Sequence, residues 1–150
     1  MDVCEWLDSY KKVNELITGK QTEKEQLLEE RQRLIDIATD ISVKMPDGMP
    51  HSNTGTVSQK MQNAVVSKII VDEEIKIVDN AISAYLDFKK MVITAIEKLP
   101  EKEYGVIHRH YIRGMTFEAI AEDMGYSTRQ IFRIKQNALK ILEDVIECHA

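Results

Sequence analysis

The sequence predicts an all-α fold: a long antiparallel helical hairpin or coiled coil, followed by a small domain of short helices. Three observations predict it. Only six Gly and three Pro occur in 150 residues, so tight turns are few and the elements must be long. Apolar residues recur at heptad spacing on both sides of one turn-rich segment. Pro100 then resets the pattern, and shorter helices with strong end signals follow it.

The clearest seam begins at Val57. Steps of four and three give Val57, Met61, Ala64, Lys68, Val71, Ile75, Val78, Ile82, Tyr85, Lys89, Val92, Ile96 and Leu99, eleven of thirteen apolar and with no Pro or Gly inside. A helix with such a stripe needs a partner helix. Residues 2–45 carry a weaker version. Val3, Trp6, Tyr10, Val13, Ile17, Lys20, Lys24, Leu27, Arg31, Leu34, Ala38, Ile41 and Met45 keep the spacing, and their polar exceptions cluster at 20–31. Gly19 costs about 1 kcal/mol in a helix interior relative to Ala, which leaves two readings open for this stretch: a break or bend near Gly19 to Thr22, or a helix continuous through it. The segment Met45–Thr56 holds two Pro and two Gly and reads as the loop at the hairpin tip. Residues 1–98 are therefore expected to form the hairpin, and 99–150 a separate domain.

Outside its seam the second helix carries more apolar residues, Val65, Val66, Ile69, Ile70, Ile77 and Ile93. One partner helix covers one stripe, so a homo-oligomer, a dimer or higher, is expected through residues 1–98.

Composition limits the function classes. Hydrophobic residues make up 43% and charged residues 30%, a folded composition rather than a disordered one. The net charge is −5, and no third of the chain is basic. Residues 127–142 nevertheless hold Arg129, Arg133, Lys135 and Lys140 with no acid among them, a basic stripe on an acidic protein. No apolar run reaches membrane-spanning length and the N-terminus lacks a basic leader, so no membrane partner and a cytoplasmic location are expected. Cys4 and Cys148 form no CxxC pair and read as free thiols. His108 and His110, two residues apart on a helix, point about 200° apart, which argues against a shared metal. His110, near the end of the helix over Glu101–Arg113, is a candidate phosphate contact. No nucleophile–base pair, phosphate loop or carboxylate dyad stands out. Neither catalysis nor a cofactor is expected.

The C-terminal domain carries the functional signal. Glu101–Arg113 is amphipathic and Gly114 ends it. Thr116 is placed to cap a helix over Phe117–Met124, Gly125 to close that helix, and Ser127-x-x-Gln130 to form a capping box for the last helix. Ala121 is small where two helices would cross, Gly125 makes the turn four residues later, and Ile131 closes the contact after six more. Together these describe a DNA-reading helix-turn-helix. On the last helix Ile131, Ile134, Ala138, Ile141 and Leu142 share one side. Arg129, Arg133, Gln136 and Lys140 share the other. Arg suits guanine O6 and N7, Gln suits adenine N6 and N7, and both also hold phosphate. The expected partner is double-stranded DNA.

From Leu99-Pro-Glu-Lys-Glu through His110-Tyr-Ile-Arg-Gly114 to Thr116-Phe-Glu-Ala-Ile-Ala-Glu-Asp-Met-Gly-Tyr-Ser127, ending in Ala138-Leu139, the chain resembles the promoter-reading C-terminal domain of bacterial sigma factors. The whole chain is similar to ArpU- and RinA-like late-gene regulators of phages and prophages. The resemblance implies DNA contacts from the start of the last helix, at Thr128, Arg129, Phe132 and Arg133, with Thr116, Ser127, Gln130, Gln136 and Lys140 completing the candidate set. Sigma factors carry an acidic residue where this chain has Arg129 and usually a polar one where it has Phe132, so a different DNA sequence is expected. The implied function is a sequence-specific transcription regulator activating phage late or lysis genes. Two alternatives stand beside it: a DNA-packaging recognition subunit resembling a small terminase, and an interaction module that binds RNA polymerase.

Overall fold

The computed structural model of the chain describes residues 2–43 and 54–148. All regular structure among them is helical: α1 (Val3–Val43), α2 (Thr54–Glu97), α3 (Glu101–Ile107), α4 (Phe117–Met124) and α5 (Thr128–Glu147). One turn of π-helix, His108–Ile112, continues α3. The expected all-α architecture is present, with a long helical region followed by short helices. Helix α1 runs unbroken past Gly19, so of the two readings left open there the continuous helix is the one present. The reason is local: Gly19 is exposed and 40 other residues extend the same helix around it, so its unfavourable propensity is outweighed by propagation on both sides. Of the expected tip loop, 45–53 lies outside the described residues, and Thr54–Thr56 already belong to α2.

The chain divides into two compact units, Met1–Ile17 with Ala84–Ala150, and Thr18–Ser83. In the second unit α1 and α2 pair antiparallel. Lys24 Nζ meets Asp79 Oδ1 at 2.7 Å, and Arg31 Nε meets Asp72 Oδ1 at 2.7 Å, so seven residues forward on one helix match seven back on the other. Ala64, Val71 and Val78 are buried on the seam, and Leu27, Leu34, Ala38, Ile75 and Ile82 are half-buried there. The polar seam positions are also partly covered, because their charges find partners along the same line. Lys68 joins Arg31 on Asp72 at 3.2 Å. Those two cations hold the Asp72 carboxyl below its ordinary value, through the Arg31 hydrogen bond first and the Lys68 one second.

The first unit has two adjoining cores. One is built from Val3, Trp6, Leu7 and Tyr10 of α1, Val92, Ala95 and Ile96 of α2, Leu99, Ile107 and Tyr111, and Ala138 and Leu142 of α5. The other gathers Val106, Ile120, Ala121 and Ile131, with Met115, Phe117, Met124, Tyr126 and Ile134 packed against it. Neighbouring residues of α3 therefore face different cores: Val106 faces the helix-turn-helix, and Ile107 faces the ends of the long helices. Helix α5 does the same along its length, with Ile131 in one core and Ala138 and Leu142 in the other. The element pattern changes at Pro100, as expected, but the first core draws on residues from both sides of it. Burial pushes the Tyr111 hydroxyl up from its ordinary pKa, with Cys4 beside it as a hydrogen-bonding partner.

Candidate nucleic-acid interface

The two helices of the reading head are fixed by their ends. Thr116, extended at φ −71°, accepts the Ala119 N–H at 3.2 Å and starts α4. Gly125 closes α4 with φ 73°, a left-handed conformation that favours glycine. The N–H groups of Gly125 and Tyr126 both turn back to the Ala121 carbonyl. Ser127 then starts α5. Its Oγ accepts the Gln130 N–H at 3.2 Å, and Gln130 Oε1 accepts the Ser127 N–H at 2.9 Å, completing the capping box. Ala121 is 6% exposed and Ile131 fully buried, so the close crossing of α4 and α5 is present.

Two interactions absent from the sequence reading lock this head to α3. Arg109 Nε donates to Asp123 Oδ2 at 2.7 Å, while its Nη1 donates to the Gly105 carbonyl at 3.2 Å, tying the π-turn to α4. Asn137 Nδ2 donates to Glu103 Oε1 at 2.8 Å, tying α5 to the first turn of α3. Charged and amide side chains at these spacings have many alternative partners, so sequence alone does not single out the pairs.

The nine candidate residues fall into two groups. Arg129, Phe132, Arg133, Gln136 and Lys140 are all exposed and recur at helical spacing along α5, on the side away from Ile131, Ala138 and Leu142. Thr116, Ser127 and Gln130 have polar atoms engaged in capping, and Thr128 is the half-buried first residue of α5. The first group shares one exposed surface of α5. The second sets where that surface begins. Positive charge is concentrated in this stretch: four cations of α5, Arg129, Arg133, Lys135 and Lys140, precede its first acid, Glu143.

An aromatic file reaches the same surface. His110 Nδ1 lies 2.9 Å from the Met115 carbonyl, and its ring stacks on Phe117 with centroids 4.1 Å apart. Phe117 meets Phe132 at 4.8 Å. Lys135 Nζ stands 4.9 Å from the Phe117 ring centre, within cation–π range. His110, a candidate phosphate contact from sequence, is thus half-buried against Phe117 and engaged with a backbone carbonyl. Of these residues the sequence reading named Lys135 as part of the stripe and missed Phe117. Phe117 and Phe132 lie on different helices, and no period links them.

Among the described residues no group of three or more His, Cys, Asp or Glu side chains is arranged to hold a metal, and no helix is long and apolar enough to cross a membrane. Cys4 and Cys148 are free thiols. The full chain has no match among curated proteins or solved structures. Residues 95–143, about a third of the chain, match the family Sigma-70, region 4. The C-terminal part of this chain is therefore a sigma-like, DNA-binding helix-turn-helix domain.

Proposed function

We propose that this protein is a cytoplasmic, sequence-specific double-stranded DNA-binding transcription regulator of the phage or prophage late-gene type, acting as an activator of late or lysis genes. The observation that supports it most is the acid-free first stretch of α5, residues 128–142, where Arg129, Arg133, Gln136 and Lys140 stand exposed beyond an N-terminus held by a capping box. An α-helix bearing such a face fits the major groove, where guanidinium and amide groups distinguish base pairs. A single recognition helix gives modest affinity, and pairing two heads raises it without new contacts. The Thr18–Ser83 unit supplies a surface for pairing. Val65, Val66, Ile69, Ile70 and Ile77 of α2 are 46–68% exposed there, an apolar row that a second copy would cover. Ile93, expected in the same row, is instead packed against the core of the other unit.

The test is selection of duplexes from a random-sequence pool by the full-length protein, followed by binding measurements on the recovered sequence. Arg129→Ala and Arg133→Ala are each expected to cost about 1–3 kcal/mol of binding if they contact bases. Affinity unchanged in the double variant, with its circular dichroism intact, overturns the DNA-reading role of α5. The same preparation, sedimented at micromolar concentration, is expected to run as a dimer or larger. A monomer removes the paired-head part of the proposal. Adding RNA polymerase to the binding reaction separates a regulator that reads DNA itself from a module that needs polymerase to do so.

A further inference from the structure

Phe132 is 44% exposed, the one large hydrophobic side chain of that exposure among the described residues from 99 onward. It sits on the second turn of α5, directly after Ile131 in sequence and one turn from both Arg129 and Gln136. An apolar ring amid cations and an amide is out of place on a surface meant only for phosphate. It is also not loose. Its ring rests against Phe117 at 4.8 Å, and Phe117 is clamped by the His110 ring at 4.1 Å and by Lys135 at 4.9 Å. His110 is in turn anchored at the Met115 carbonyl, beside the Thr116 cap that starts α4. One side of the Phe132 ring is therefore supported from the protein interior, and the other is presented outward with little freedom left to lose on binding.

We infer that Phe132 is a specificity residue that reads thymine through its C5-methyl group, with Phe117 and His110 as positioning residues behind it. The inference rests on the proposal that α5 enters the major groove. In that groove the four base pairs present hydrogen-bonding groups and one apolar group, the methyl of thymine. A phenyl ring can distinguish bases there only through that methyl. The flanking Arg129, Arg133 and Gln136 then have the hydrogen-bonding positions to either side. The preferred site accordingly contains a thymine next to base pairs read by guanidinium or amide groups.

The experiment uses the full-length protein and a duplex that it recovers from a random-sequence pool, resynthesised with deoxyuridine replacing each thymine singly. Deoxyuridine pairs as thymine does and lacks only the methyl. At one or two positions the wild-type protein is expected to bind about fourfold more weakly, the value of one buried methyl group. In Phe132→Ala the ratio between thymine and deoxyuridine duplexes at those positions should fall to about one, while Phe132→Leu, still apolar, should keep most of it. Phe132 is exposed, so neither substitution removes core packing. Equal wild-type affinity for every deoxyuridine duplex overturns the inference, as does an undiminished methyl preference in Phe132→Ala. Failure to recover any duplex is a different result: it overturns the reading of α5 as a DNA-contacting helix, and this inference with it.

Discussion

At Gly125 the backbone turns at φ 73°, and a Cβ built there would meet nothing within 4 Å. The space is open, so a side chain would be disfavoured by the left-handed backbone alone and not by a clash. Gly125→Ala is expected to lower stability by about 1–2 kcal/mol, and Gly125→Asn by less, because Asn visits that conformation more readily. Urea denaturation of the three proteins checks it; equal midpoints would mean that the α4–α5 turn tolerates a right-handed backbone. This residue was legible in the sequence, as were Thr116, Ser127 and Gln130, because caps and turns act over four or five residues and leave a local pattern. The His110–Phe117–Phe132 file was not legible. Its members are brought together by a π-turn and by the crossing of two helices, and neither leaves a period to read.

Among the elements, the seam of the long helices shows where pattern reading holds and where it stops. The four-and-three spacing placed most of the buried positions of both helices, though not Leu7 or Ala95, and it also placed the half-buried Lys24, Arg31 and Lys68, which looked like defects. Their partners, Asp79 and Asp72, were hidden because each directly follows a seam residue, Val78 or Val71, and flanks the stripe instead of lying on it. The ion pairs are each about a third exposed or more, so solvent screens them and their contribution is modest. Asp72 nevertheless gives a pH signature. Its folded-state pKa is depressed below the unfolded value of about 3.9. The stability it contributes is therefore fully present above that unfolded value and is lost as pH falls through the depressed one. Asp72→Asn should be less stable than wild type near neutral pH, and the difference should close in strong acid. A gap of constant size from neutral pH down to about pH 2 would show that the Arg31 and Lys68 contacts do not act through the carboxylate charge.

Over the whole molecule, the point least visible in the sequence is how the reading head is supported. Pro100 marks a change of element so clearly that residues 99–150 look self-contained. Yet Ile107, Tyr111, Ala138 and Leu142 of that segment turn toward Val3, Trp6, Leu7, Val92 and Ile96, and these form one core. Period alone could not show this, because a heptad seam specifies that a face is covered and not by what. The consequence is testable at Leu7, which is fully buried in that core and far in sequence from the exposed face of α5. Leu7→Ala removes packing against the face that α3 and α5 share and should cost about 2–5 kcal/mol. Trp6, a neighbour in the same core, reports its integrity by fluorescence, and DNA binding reports the head. If the head depends on that core, rising urea should abolish both signals together in the wild type. Leu7→Ala should then move both midpoints down by the same amount. A lowered Trp6 midpoint with the binding midpoint unmoved would show instead that Val106, Ile120, Ala121 and Ile131 suffice to hold the helix-turn-helix, and that residues 99–150 fold without the ends of the long helices.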